Sequence, residues 1–172
     1  MVTRSLNGKN WTAEASNSSE VETQEFLYGL VRVLKPEVCV ETGCFQGEAS
    51  AQIALALDHN GHGHLYTCDV DPQAVVKVSA IVEKLPATVY CRDSVEMLRR
   101  IPEVDFAFID GGSNRTAEME ALQLSSHAYV VLHDANNPDY LFPRKWSKEF
   151  AKSLQVLRFP HPLGLAVFEV KR

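Results

Sequence analysis

The chain has 172 residues, enough for one domain with a sizeable core and no need of disulfide or metal staples. Apolar residues make up 45% and charged residues 23%, ordinary values for a soluble globular protein, and the net charge of −5 argues against a nucleic-acid partner. No apolar run approaches the ~18 residues of a membrane span. The four cysteines, Cys39, Cys44, Cys68 and Cys91, form no C-x-x-C pair and read as reduced thiols of a cytoplasmic protein rather than as zinc ligands.

Residues 1–20 are polar, rich in Asn, Ser and Thr, and lack the apolar centre of a signal peptide; they are expected as a flexible N-terminal arm. "VETQEFLYGLVRVLKP" then places Phe26, Leu27, Leu30, Val31 and Leu34 on one helical face, closed by Pro36. "EVCVE" reads as a strand, "EASAQIALAL" as a helix and "HLYTCD" as a strand. Asp71 is a good N-cap with Pro72 at the first helical position, and Val75, Val78, Val82 and Leu85 follow at helical spacing. "ATVYC" is a strand, "SVEMLRRI" a short helix opened by Asp93, and "VDFAFID" a strong strand. "NRTAEMEALQLSSH" is expected as a helix, "AYVVLHD" as a buried strand, and Arg144 to Ser153 as a helix leading to the strands "QVLRF" and "LGLAVFEV". Strand-helix alternation through five strands implies a parallel sheet with helices on both faces.

The stretch "CVETGCFQGEAS" holds an acid, Glu41, and two glycines, Gly43 and Gly47, where the first strand of that alternation becomes a helix. In open α/β sheets ligands bind beyond the carboxyl ends of the strands, and glycine lets the backbone approach them. Cys44 and Phe45 stand where a dinucleotide fingerprint would carry its second glycine, and Gly47 is followed by Glu48-Ala49 rather than Lys-Ser/Thr. Glu41 and Glu48 would repel phosphate, so a cationic nucleoside fits better. Asp69 ends the next strand, where its carboxylate can accept two hydrogen bonds from a ribose diol. Asp93 and Ser94 follow the third strand, where an adenine would lie; a plain helix cap explains Asp93 equally well.

"VETGCFQGEASAQIALAL", "LYTCDVDP", "CRDSVEML" and "VDFAFIDGG" together resemble the successive motifs of class I S-adenosylmethionine-dependent methyltransferases, in the small O-methyltransferase-like branch with the catechol and caffeoyl-CoA enzymes. The resemblance covers about residues 22 to 170. It implies a single domain over 21–172 with a Rossmann-like seven-stranded sheet of order 3-2-1-4-5-7-6, strand 7 antiparallel. It implies S-adenosylmethionine as cofactor. Glu41, Gly43 and Gly47 would line its methionine end, Asp69 would hold the ribose, and Asp93 with Ser94 the adenine. Cys44, Phe45, Val70, Asp110 and Gly111 complete the expected cofactor surface.

The acceptor side falls at "FIDGGSN" and "LHDANNP", which offer Asp110, His133 and Asp134 as catalytic candidates, with His133 a candidate base. In the metal-dependent members of the family, acids at these positions and an Asn after the second bind a divalent cation. Asp110 and Asp134 match; Ala135 stands where the Asn belongs, and Asn136 is one residue late. Mg²⁺ on Asp110, Asp134 and Asn136 is therefore an expectation with a ligand missing. The expected function is methyl transfer to oxygen of a small molecule. The alternatives are an aminopropyl transferase, a lyase, a regulatory module that binds the cofactor without methylating, or a macromolecular methyltransferase; a homodimer is left open. From Tyr140 to Arg172 seven basic residues face Glu149 and Glu169 alone, read first as a solvated helix face. "GHGH" reads as a turn rather than a metal pair at His62 and His64, and Trp11, Tyr28 and Trp146 as packing aromatics.

Overall fold

The computed structural model describes residues 1–112, 114–136 and 154–170. In chain order the elements are β1 (Val2–Leu6), β2 (Lys9–Ala13), α1 (Val21–Leu34), β3 (Val38–Thr42), α2 (Glu48–Asn60), β4 (His64–Asp69), α3 (Pro72–Ile81), β5 (Ala87–Cys91), α4 (Ser94–Leu98), β6 (Val104–Ile109), α5 (Arg115–Ala121), β7 (Leu124–His133), β8 (Leu154–Phe159) and β9 (Leu165–Val170).

Strands β3 to β9 form one sheet of order β5-β4-β3-β6-β7-β9-β8. Strand β9 runs antiparallel to both β7 and β8, and the pairs from β5 to β7 are parallel. Counted from β3, this is the expected order 3-2-1-4-5-7-6. The order reverses between β3 and β6, so the loops after these two strands open side by side.

Side-chain alternation along each strand splits the core in two. Cys39, Phe106, Phe108 and Val131 face α1, α2 and α3, where they meet Leu27, Val31, Ile53, Leu57 and Val78. Val40, Ala107, Ile109, Val130 and Leu132 face α4 and α5, where they meet Met97, Leu98 and Met119. Phe106 and Phe108 are fully buried, each contributing about 1.5–3 kcal/mol of burial. The helix starts follow their caps: Asp71 accepts from Gln73 N (2.9 Å), Asp93 from Glu96 N (3.1 Å) and Asn114 from Ala117 N (3.2 Å). Thr42 ties the two central strand tips together, its Oγ1 accepting from Asp110 N (3.2 Å) and Gly111 N (2.9 Å).

Two expectations are corrected. The first twenty residues are not a loose arm: β1 and β2 form a hairpin paired from Val2↔Ala13 to Leu6↔Lys9, and an Ala13↔Glu20 bridge carries it to α1. Its two-residue turn is Asn7-Gly8, both with positive φ (51° and 74°), the geometry that favours Asn-Gly in hairpins. The helix expected over "NRTAEMEALQLSSH" stops at Ala121, and Leu124–His127 joins β7. Leu122 turns extended (ψ 130°), and a register shift between Val104 and Phe106 absorbs the added residues. The helix expected over 144–153, with Trp146 and the basic residues Arg144, Lys145, Lys148 and Lys152, lies outside the described residues.

Candidate active site

Two adjoining clefts open beyond the carboxyl ends of the central strands. The first, about 350 Å³, is lined by Gly43, Phe45, Asp69, Asp93, Asp110 and Gly111 among others, Val70, Arg92 and Ser94 included. Its volume lies in the ~300–1,000 Å³ range of small-molecule sites. Three carboxylates face it against the one guanidinium of Arg92, a balance that favours a cationic ligand. The second cleft, about 260 Å³, is lined by Arg4, Asn17, Asp110, Arg115, His133 and Asp134 among others. Gly43, Phe45, Asn17 and Asp110 belong to both, so a ligand in one abuts a ligand in the other.

Backbone geometry shapes the first cleft. Gly43 has φ +74°, and a Cβ there would lie 2.8 Å from Gly111 Cα and 3.0 Å from Asp110 O. The loops after β3 and β6 thus touch backbone to backbone, which only a residue without a side chain permits. Asp69 Oδ2 accepts from Phe45 N (3.0 Å) and Oδ1 from Asp71 N (3.0 Å), so this carboxylate fixes the loop and still keeps lone pairs for a ligand. Asp93 spends one oxygen on its cap, and Ser94 Oγ donates to Glu118 Oε1 (2.6 Å).

Three of the expected cofactor residues point elsewhere. Strand alternation turns Glu41 toward α2, where it is 1% exposed and accepts from Ser50 Oγ and from Thr67 Oγ1 (2.6 Å). Burial raises its pKa to about 7, against the lowering effect of those two hydroxyls and with Asp110 and Glu48 adding to the rise. Cys44 is buried in the α1–α3 side of the core. Gly47 faces α3: a Cβ there would lie 3.0 Å from Val78 Cγ2 and Ile81 Cδ1. Glu41, Cys44 and Gly47 shape the loop from beneath rather than line the cleft.

The second cleft rests on a buried ionic network that the sequence reading missed in part. His133, 3% exposed, reaches Asp110 Oδ1 through Nδ1 (3.1 Å) and Glu20 Oε2 through Nε2 (2.9 Å). Both partners are carboxylates, so both ring nitrogens donate and the ring is an imidazolium. Burial opposes that charge, yet the charge and hydrogen bond of Asp110, the hydrogen bond of Glu20 and the charge of Asp134 raise the pKa to about 10. An imidazolium cannot accept a proton, so His133 is not placed to act as a base. Glu20 also pairs with Arg4 and with His161 Nε2 (2.9 Å); burial works against its ionisation, but His133 and His161 hold its pKa well below the usual range. Arg115, 2% exposed, places Nη2 at 3.2 Å from Asp110 Oδ1 and 3.9 Å from Asp134 Oδ2, with Nη1 at 4.0 Å from Glu118 Oε2. Arg4, Glu20, Arg115 and His161 carried no motif; only the folded topology brings them to His133.

Among the described residues two groups present ligand atoms within 4.8 Å of one another, Asp110/His133/Asp134 and Glu20/His133/His161. His133 belongs to both, and each of its nitrogens already faces a carboxylate. Asn136, the third expected ligand, donates its N–H to Leu163 O (3.1 Å) and packs its side chain on Gly164. Mg²⁺ needs free carboxylate oxygens, and Asp110 and Asp134 are already paired with Arg115 and His133. The residues present do not fit it.

The family model for a methyltransferase domain matches residues 40–135, more than half of the chain. The chain belongs to this methyltransferase family. That membership disfavours the regulatory, lyase and aminopropyl-transferase alternatives. Among curated proteins none matches the sequence. Among solved structures, a methyltransferase from Geobacter sulfurreducens superimposes with a TM-score of 0.75 at 17% identity, over 91% of this chain and 81% of that one. The SAH-bound methyltransferase PaMTH1 from Podospora anserina gives 0.76 at 14% identity, over 94% and 83%. The O-methyltransferase TomG from Streptomyces achromogenes, in complex with SAM, gives 0.71 at 15% identity, over 90% and 82%. At these identities the likeness is one of fold. It agrees with the seven-stranded order found here.

Proposed function

We infer that this methyltransferase binds S-adenosylmethionine in the first cleft and methylates an oxygen of a small molecule held in the second. The observation that carries the reading is the convergence of Gly43, Asp69, Asp93 and Asp110, from four strand tips, on one cleft that opens into another lined by His133 and Asp134. When bound, the cofactor supplies an electrophilic methyl on a sulfonium. Asp69 accepts hydrogen bonds from the ribose diol, Asp93 stands beside the adenine, and the touching backbones at Gly43 and Gly111 give the methionine end its floor. Asp110 borders both clefts and favours positive charge where they meet.

The acceptor's proton has a destination. Asp134 Oδ1 lies 3.2 Å from His133 Nδ1, whose N–H is engaged by Asp110, and it has no hydrogen-bond partner among the described residues. Asp134 lines the second cleft, and a half-buried carboxylate there suits a general base. Burial raises its pKa, in part offset by His133 and Arg115, and this strengthens the base. The remaining contribution of the site would be to position the acceptor oxygen against the cofactor's methyl. The unpaired thiols Cys39, Cys44 and Cys68, all buried, support a cytoplasmic setting. Among the described residues no helix is long and apolar enough to cross a membrane.

Titration calorimetry with S-adenosylmethionine and S-adenosylhomocysteine tests the cofactor assignment, with micromolar binding expected. Failure of both to bind at millimolar concentration would remove it. Labelled-methyl transfer to a panel of phenols and aliphatic alcohols then tests the oxygen acceptor.

A further inference from the structure

We propose that Arg115 takes the place of a divalent cation at the Asp110–Asp134 pair, so that the protein works without a metal ion. Its role in catalysis rests on the methyltransfer reading above, whereas the metal argument stands on the geometry alone.

Two acids at neighbouring strand tips repel one another and need positive charge between them. The chain itself supplies that charge. The guanidinium reaches Asp110 at 3.2 Å and Asp134 at 3.9 Å from a single nitrogen, and Arg115 is 2% exposed. It comes from the first turn of α5, and the Asn114 cap sets where that turn starts. Asp110 Oδ1 therefore accepts from Arg115 Nη2 and from His133 Nδ1 together, and both of its lone pairs are committed. A divalent ion on that oxygen would have to displace a donor and sit beside a buried guanidinium of like charge. The amide that would add a third oxygen ligand is also withdrawn: position 135 is Ala, and Asn136 is turned onto Gly164.

A fixed guanidinium and a bound dication do different chemistry. A dication accepts two acceptor oxygens as ligands and so selects vicinal diols. Arg115 donates to Asp110 and pairs with Asp134 at 3.9 Å, and it offers an acceptor no pair of coordination positions. The acceptor class that follows is a single hydroxyl rather than a chelating pair.

Electron paramagnetic resonance of Mn²⁺ titrated with the full chain, with and without S-adenosylhomocysteine, tests the proposal. The wild type should leave the free-ion signal undiminished. Arg115→Met should take up one Mn²⁺ per chain, and a second change, Asp110→Asn, should release it. Ala135→Asn keeps the fold of the acid pair and Arg115 in place, and it should still bind no Mn²⁺. Stoichiometric uptake by the wild type that Asp110→Asn abolishes would overturn the proposal. So would uptake by Ala135→Asn alone, or a folded Arg115→Met that binds none. If Arg115→Met does not fold, the wild-type and Ala135→Asn titrations decide. Calorimetry with S-adenosylhomocysteine on the same samples separates the two readings: loss of cofactor binding removes methyl transfer and leaves the metal result standing.

Discussion

The two clefts lie side by side yet are held together by opposite means. Around the first, carboxylates bond to backbone amides close by in the fold: Asp69 to Phe45 and Asp71, Asp93 to Glu96. These groups are half-buried or exposed, and each keeps an acceptor site for a ligand. Around the second, side chains bond to side chains across the whole chain: Arg4 and Glu20 from the N-terminal region, Asp110 and Arg115 from the β6–α5 turn, His133 and Asp134 from the end of β7, His161 from the β8–β9 turn. These groups are mostly buried, and each charge depends on another. The first cleft is a surface whose carboxylates keep free acceptor oxygens. The second is part of the core that happens to open onto it.

The contrast can be broken first at Glu20. Glu20→Ala leaves His133 and Arg4 without their shared carboxylate and should cost about 3–5 kcal/mol of stability, as removal of one partner from a buried ion pair does. Urea unfolding measures it, and a loss below ~1 kcal/mol would mean that the network is not part of the core.

Glu41 lies beneath the first cleft and gives the contrast a pH dependence. Its folded pKa, about 7, is above the unfolded value of 4.5. The associated stability is present in full below pH 4.5 and is lost as pH rises to 7, because over that window the unfolded state ionises while the buried acid of the folded state keeps its proton. The loss amounts to roughly 3 kcal/mol at 1.36 kcal/mol per unit. Glu41→Gln should gain on the wild type by about that amount between pH 5 and 8; parallel stability curves for the two proteins would contradict the buried-acid assignment.

Asp69→Ala should weaken S-adenosylhomocysteine binding by about 1.5–3 kcal/mol, roughly 10- to 150-fold, through loss of charged hydrogen bonds. Stability should move far less than in Glu20→Ala, which sharpens the division between recognition and core. Equal affinity in calorimetry would contradict the ribose assignment. The smallest effect is expected at the hairpin: Gly8→Ala forces a side chain to φ 74° and should cost about 1 kcal/mol. Unchanged unfolding would show that the hairpin folds independently of the Glu20 network.

The first cleft was legible in the sequence because its parts are local. Strands and helices alternate with acids and glycines in the turns between, so Gly43, Asp69 and Asp93 could be placed at the strand tips from spacing, and the family resemblance added Asp110 to the cofactor surface. Glu41 was misplaced for an equally local reason. It is a strand residue, and the two-residue period sends it to the same face as Cys39, toward α2 rather than into the turn. The Asn7-Gly8 turn was a hairpin signal set in a polar stretch that reads as loose. The Ser125-Ser126-His127 segment carried no period at all, and it lies in the register shift between the Val104–Leu124 and Phe106–Tyr129 pairs.

What the sequence determined by itself was the alternation of strands and helices, and with it a doubly covered sheet whose strand-to-helix loops gather at one edge. Apolar periodicity and turn chemistry are properties of neighbours in the chain. The tertiary structure alone decided that a guanidinium from the start of α5 lies against two acids, and that a glutamate ahead of α1 holds the histidine at the end of β7. Charge pairing in a buried site depends on distance through space, and residues 20 and 133 become neighbours only when the sheet has formed.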